Sequence, residues 1–404
     1  MAGRVALSVV ATALAGVALT SVASATSPGA NGPIVWNSQA MVNGSGDDEI
    51  WIMDPDGSNK DNLTDNSVGD TRPAISPDRQ KVAFMSFRLP NGSSGNAELY
   101  VMNVNGSNQT PLTESDSNFE AEPSWSPDSQ TIVWSRQISG AGTDVWTTDA
   151  DGDNKLNRTN TQFVDESTPE YSPDGTKIAY TASGYYDGFP GTFHPNNIWV
   201  MNANGTNQTQ LTFGADPEQN FQPTWSPDGS QIAYIHTANA SNQPYYIYVM
   251  DADGSNQDPL TPTGGYYSPT WSPDGELIAA QSANEIYAVD VDSPATVTNL
   301  TMNGVQDEYP SWAPAGEGGG APNTKITDGP GKVIHKDKTT FKFKAIPADG
   351  ATFECKLDGK PYKACSSPKE LKNLSNGKHK FRVRATAGGQ TDPTPARATF
   401  RVKP

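Results

Sequence analysis

Short apolar–polar alternations with a period of two, each closed by a turn sequence, run along most of this chain. Tyr246-Ile-Tyr-Val-Met250 alternates like a half-buried strand, and Asp251-Ala-Asp-Gly-Ser-Asn256 after it carries the Asp-Gly of a tight hairpin. The same strand and turn recur at 49–59, 98–108, 144–154, 197–207 and, in degenerate form, 285–294. Upstream of the first example stand a strand, Gln231-Ile-Ala-Tyr234, and an opening motif, Pro223-Thr-Trp-Ser-Pro-Asp-Gly229. The motif is a short strand and a turn, with Pro where its fixed φ fits and Gly at the close. A Leu-Thr strand ends each repeat, at Leu63, Leu112, Leu211, Leu260 and Leu300, with Leu156-Asn as a variant.

The opening motif begins at Pro73, Pro123, Pro169, Pro223 and Pro269, with a worn copy at Pro310, at intervals of 50, 46, 54, 46 and 41 residues. A period near 45 built from short strands predicts a β-propeller. Every count of these features gives six. The first repeat, from Ile34, lacks its opening strand, and Pro310–Trp312 is an opening strand alone. Joined, the two complete a sixth blade and leave no sheet edge open. The expected fold class is all-β: a six-bladed β-propeller over 33–314 closed by both chain ends, plus a small C-terminal β-sandwich.

The Trp-Ser-Pro-Asp-Gly and Asp-x-Asp-Gly-Ser features together resemble the repeats of TolB-type six-bladed propellers. The resemblance covers about 33–314 and implies a rigid frame with binding loops. No α/β domain precedes the repeats, so it does not imply the periplasmic Tol partner network.

Residues 315–323 form a Gly-rich linker. Over 324–404 the alternation changes character, with Phe341-Lys-Phe-Lys344, Lys380-Phe-Arg-Val-Arg384 and Thr399-Phe-Arg-Val-Lys403 each able to bury one face and show cations on the other. The run Phe353-Glu-Cys-Lys-Leu-Asp-Gly359 with Cys365-Ser-Ser-Pro resembles small immunoglobulin-like modules of secreted bacterial proteins.

Composition sharpens the division. The net charge is −17, but residues 1–322 hold 10 Lys+Arg against 38 Asp+Glu, while 323–404 hold 18 against 7. Two bodies of opposite sign are joined. Residues 1–25, with Arg4, an apolar run and Ala23-Ser-Ala25, read as a secretory signal peptide and not a membrane span. Export to the medium or cell surface places Cys355 and Cys365, the only two cysteines, where they should pair.

Strand parity puts the tight Ser-Pro-Asp-Gly and Asp-x-Asp-Gly turns on one face and all long loops on the other, which is the expected functional face. Three residues before each repeat proline stand Asp70, Glu120, Glu166, Asn220, Tyr266 and Asp307, expected to ring the channel mouth. Four of these six are acidic, so the ring admits calcium or a basic peptide, against the plainer reading of solvated loop acids. No motif demands a cofactor. The Asp-x-Asp-Gly turns lack the later Glu of a calcium loop, and the repeated Trp residues fit packing between blades.

The least repeat-like loop holds Tyr185, Tyr186, Phe189, Phe193 and His194, with His236 at the start of the same loop in the next blade. These aromatics read as a binding surface for a protein, peptide or glycan. An alternative uses the histidines for glycan cleavage, as in polysaccharide lyases of this repeat class, although two fall short of such a metal site. There is no Gly-x-Ser-x-Gly motif, which excludes a propeller-plus-hydrolase peptidase. In the basic segment Lys342, Lys344, Lys380, Arg382, Arg384, Arg401 and Lys403 suit an anionic cell-wall polymer, nucleic acid or the acidic propeller itself, against the plainer reading of a solvated strand face. No nucleic-acid motif accompanies them. The expectation is a monomeric, non-catalytic binding protein, with a cell-surface scaffold as a further alternative.

Overall fold

The computed structural model describes residues 31–39, 47–88, 94–114, 118–138, 140, 142–184, 195–239, 244–314, 323–346, 351–387, 390–391 and 395–404. The expected signal peptide, the Gly-rich linker up to 322, and Tyr185, Tyr186, Phe189, Phe193 and His194 lie outside these residues. Among the described residues the fold is all-β, and no helix is long and apolar enough to cross a membrane.

Up to residue 314 the strands assemble in fours, in chain order. One unit runs Gln219–Trp225, Gln231–Thr237, Tyr246–Asp251, Asp258–Pro259, all antiparallel. Two consecutive units merge into one eight-stranded sheet through a parallel bridge at Thr143 and Asp165. The first strand, Asn31–Ser38, takes as its neighbour the last strand of the repeat region, Asp307–Pro314, with Ile34 opposite Trp312 and Val35 opposite Ser311.

Apolar side chains on each sheet meet those of the next. Leu99, Val101 and Leu112 pack against Trp125, Ile132 and Trp134 of the following unit. Ile34, Trp36 and Met53 pack in the same way with Ile286, Ala288 and Leu300. The repeated Trp residues lie in these seams. Trp125 Nε1 donates to the carbonyl of Ala74 at 2.9 Å and Trp312 Nε1 to that of Gly32 at 3.0 Å. The hairpin glycine also has a packing reason: Gly106 has φ +80°, and a Cβ there would come within 2.3 Å of the Leu63 carbonyl oxygen of the preceding unit.

Residues 323–402 form two further sheets. One holds Asn323–Asp328, Thr339–Ile346 and Lys369–Leu371, and the other is built on Thr352–Leu357, Gly377–Ala387 and Ala396–Val402. They share one core, in which Phe341 and Phe343 of the first meet Phe381, Val383 and Phe400 of the second. Cys355 and Cys365 are joined in a disulfide, with Cα atoms 5.8 Å apart. The cations separate between the sheets. Lys342 and Lys344 belong to the first and pair with Asp328 and Asp61, both at 3.4 Å, whereas Lys380, Arg382, Arg384 and Arg401 belong to the second. Lys325 also reaches Asp61 of the repeat region, at 3.1 Å.

Among the described residues each hydrophobic core lies wholly within 31–314 or wholly within 323–404. A chain ending at 314 is expected to keep one cooperative thermal transition with its midpoint within about 5 °C of the full chain, since partly exposed ion pairs such as those of Asp61 with Lys325 and Lys344 contribute little. Calorimetry of both chains checks this. Loss of the transition on truncation would refute an independent repeat region.

Candidate functional site

The inner strand of every unit is bent just before its proline. Arg72, Glu122, Thr168, Gln222, Ser268 and Tyr309 all have left-handed φ, between 48° and 60°. Residues other than Gly rarely adopt it. Each coincides with a register shift in the strand pairing, as between Thr71 and Ala74 or Phe221 and Thr224. These are β-bulges, which re-aim a side chain. Several of the displaced N–H groups are capped by side chains. Thr168 N donates to Glu122 at 2.7 Å, Gln222 N to Thr181 Oγ1 at 3.0 Å, and Ser268 N to Gln222 at 2.8 Å.

The six bulge residues line a central cavity of about 150 Å³. Their chemistry differs at every position. Arg72 forms an ion pair with Glu122 on one side, and on the other donates to the Tyr309 hydroxyl at 3.2 Å with its guanidinium 4.7 Å from that ring. Gln222 Nε2 donates to Ser268 Oγ at 3.2 Å.

A second cavity of about 190 Å³ continues the first. Of the residues that follow the proline in each repeat, Ala74, Ser124, Glu170, Thr270 and Ser311 line both and form the waist between them, while Thr224 lines the second alone. Three hydroxyls and one carboxylate stand at this narrowing. Glu170 Oε1 accepts from Trp225 N at 2.9 Å and Thr224 Oγ1 at 3.2 Å. No cation pairs with it among the described residues, and burial raises its pKa to about 7.

The outer cavity opens on the tight-turn side, between the turn prolines Pro77, Pro127, Pro173, Pro227 and Pro273 and the repeated Trp residues. That face was expected to be inert, yet this cavity is lined by its turn prolines.

The six residues expected at the channel mouth lie elsewhere. Asp70, Glu120, Glu166, Asn220, Tyr266 and Asp307 are all buried, within the joints between consecutive strands and not on the channel wall. The joint is built around the Thr that ends each repeat. Thr64, Thr113, Thr159, Thr212, Thr261 and Thr301 accept, at 2.8–3.1 Å, the backbone N–H of a third-strand residue: Ile50, Leu99, Val145, Ile198, Ile247 and Ile286. The hydroxyl then donates to acids or an amide: Thr113 to Glu98 at 2.8 Å, Thr212 to Asn197 at 3.0 Å, Thr301 to Glu285 at 2.5 Å. Thr161 donates to Glu166 at 2.5 Å, and Thr159 bridges Asp144 and Glu166 at 3.3 and 3.2 Å. Sequence reasoning saw the recurring Leu-Thr but read it as strand alone.

Paired acids in these joints cannot both ionise cheaply. Burial raises Glu49 and Glu120 to about 7 and Glu166 to about 8, with Glu98 beside Glu120 and Asp144 beside Glu166 adding to the rise. Arg136, 3.3 Å from Glu120, and Arg88, 3.2 Å from Asp70, act in the opposite direction. In one unit amides take both places, Asn197 and Asn220, 3.3 Å apart.

His236 belongs to the same joint. Its Nδ1 lies 3.0 Å from Asn220 Oδ1, its ring packs 4.3 Å from that of Tyr248, and burial lowers its pKa. Among the described residues no three His, Cys, Asp or Glu side chains meet to hold a metal ion. The Asp-x-Asp-Gly acids serve their own hairpins: Asp251 accepts from Asn256 at 2.6 Å and Asp253 from Ser255 N at 2.9 Å.

The family model for the TolB beta propeller domain matches residues 191–318. TolB from Acinetobacter baumannii is 23% identical with a TM-score of 0.57, over 70% of this chain and 67% of that one. A chain of the nidogen–laminin complex aligns with a TM-score of 0.52 at 12% identity, over 70% of this chain and 99% of that one. Hydrazine synthase from Kuenenia stuttgartiensis aligns with a TM-score of 0.55 at 14% identity, over 93% of this chain and 68% of that one. No curated protein sequence matches the chain. The repeat region has a β-propeller fold, and its part from residue 191 on is similar to the TolB beta propeller domain.

The joints make stability depend on pH with a definite sign. A carboxyl whose folded pKa is raised stabilises fully below its unfolded value near 4.5 and loses that contribution as pH rises through 7 to 8. The unfolding midpoint is therefore expected to fall between pH 5 and pH 8. Glu166→Gln, which keeps the neutral shape, should flatten the slope by on the order of 1–3 kcal/mol over that range. Scanning calorimetry at several pH values reads it. A midpoint that rises with pH, or an identical slope in the variant, counts against the shared protons.

Proposed function

We propose that this chain is an exported, non-catalytic binding protein whose propeller holds a segment of a protein, peptide or glycan at its channel and the long loops around it. In this reading the four-stranded units are the six blades of one closed propeller over 33–314, preceded by a signal peptide at 1–25. The linker at 315–323 and an immunoglobulin-like domain at 324–404 follow.

One observation supports the binding role above the rest. The repeats keep their proline from copy to copy, and four of six keep the Trp after it, yet the channel-lining position before the proline holds a different residue in all six: Arg72, Glu122, Thr168, Gln222, Ser268, Tyr309. A ring needed only for packing has no use for a cation, an acid, an amide and hydroxyls side by side. A ring that recognises an asymmetric ligand does, because donors, acceptors and charges must match different groups on different sides.

The alternative, a glycan-active enzyme using His194 and His236, is weakened at His236, whose Nδ1 already faces Asn220 in a blade joint. Calcium in the channel stays part of the proposal only as an optional ligand of the waist oxygens. The test is a peptide and glycan array, run with and without chelator, on the native chain and on Thr270→Trp, which fills the waist. Ser124→Phe serves as a second block should the first fail to fold. Binding by the native chain, at least tenfold weaker in a folded channel variant and retained in His236→Ala, is expected. Turnover of an arrayed glycan that His236→Ala abolishes would favour the enzyme, and no binding to any probe would favour a scaffold.

A further inference from the structure

The C-terminal sheet carries a charged surface that nothing in the fold explains. In Gly377–Ala387 and Ala396–Val402, Phe381, Val383, Phe400 and Val402 face the core. Alternation then turns Lys378, Lys380, Arg382, Arg397 and Arg401 together onto the outer face. None of these five is in an ion pair among the described residues.

Register makes the arrangement costly. Arg382 lies directly opposite Arg397 on one neighbouring strand and Lys356 on the other, so three cations cross three strands in one row. Lys378 lies opposite Arg401. Like charges facing each other directly across a sheet destabilise it. The adjacent row shows how the fold can relieve this: Arg384 lies opposite Glu354 and bonds it at 2.7 and 2.9 Å. Among the described residues Lys356, Arg382 and Arg397 have no such ion pair. The contact with Asp61 of the repeat region is made by Lys325 and Lys344 of the other sheet.

We propose that this outer sheet face binds an extended phosphodiester polymer that lacks bases, of the polyol-phosphate type. Arginine forks suit phosphate oxygens, and phosphodiesters stay ionised throughout the working pH range. Cations recur at roughly 6.8 Å along a strand and about 4.8 Å between strands, so a flexible chain can lay one phosphate after another on the grid. A stiff polyuronate ribbon turns part of its carboxylates away from a flat face. Nucleic acid would seek an aromatic platform for its bases. The one aromatic beside these strands, Tyr362, is already covered by Lys356 at 4.5 Å and Arg384 at 4.1 Å.

The inference shares with the proposed function only the premise of export, and purified protein tests it whether or not the propeller binds a ligand. The full chain is titrated with poly(glycerol phosphate), double-stranded DNA and polygalacturonate at two or more salt concentrations. Expected is binding to poly(glycerol phosphate) that weakens steeply with salt, since bound cations displace condensed counterions. Arg382→Glu with Arg397→Glu should weaken it at least tenfold and lower the salt slope. Reversing two clashing cations should not lower the unfolding midpoint, and Arg382→Gln with Arg397→Gln provides a milder second variant. Thr270→Trp should leave this binding unchanged. No binding at low salt, binding by both double variants as tight as by the native chain, or tighter binding of DNA or polygalacturonate through the same residues would each overturn the proposal.

Discussion

One hydrogen bond recurs at every joint of the repeat region: a buried threonine hydroxyl accepts a backbone N–H from the third strand of its own repeat. The fourth strands are short, two residues in most units, so the ladder ends before that N–H is reached. An unpaired buried N–H costs about 1–3 kcal/mol. The hydroxyl removes that cost and then has its own proton to place. At five of the six joints it donates to a third-strand acid or amide, the exception being Thr261, and a second polar residue arrives on the next inner strand. The turn of the chain from one unit to the next thus requires a small polar knot inside an otherwise apolar seam.

That requirement explains where the acidity of the repeat region goes. Burial first, and a second acid nearby, disfavour the charged form, which is why Glu49, Glu120 and Glu166 hold their protons to about neutrality or above. The amide pair Asn197 and Asn220 does the same work with no charge at all, and His236 attaches there. Formal charge counted along the sequence therefore overstates the field at the surface. The uncompensated acid that matters for the channel is a different one, Glu170 at the waist.

How far the sequence could be read follows from which features are local. Turn chemistry and period-two alternation act within a few residues, so the unit length, its strands and the pairing of Asn31–Ser38 with Asp307–Pro314 could be read directly from repeats of Pro-Thr-Trp-Ser-Pro-Asp-Gly. The channel wall could not. In a regular strand the residues one and three before the proline share a face, so Arg72 and Asp70 would point the same way. The bulge at Arg72 breaks that parity and sends Asp70 into the joint, Arg72 to the axis. No residue type signals it, since Arg, Glu, Thr, Gln, Ser and Tyr all occupy the left-handed position. Pro after it is the only common mark, and Pro alone pushes the preceding residue toward extended backbone.

The C-terminal segment shows the same limit in another form. Alternation was enough to place cations on one side of each strand, but a surface is made by several strands. Lys342 and Lys344 looked equivalent to Arg382 and Arg384 along the chain, and the sheets assign them to different neighbours: Lys342 pairs with Asp328, Lys344 with Asp61, Arg384 with Glu354, and Arg382 with no acid among the described residues. Which charge stays unpaired is decided by register, a long-range property. Charges the fold neutralises are explained by folding. Those it lines up against each other, at a cost, need a partner outside the chain to account for them.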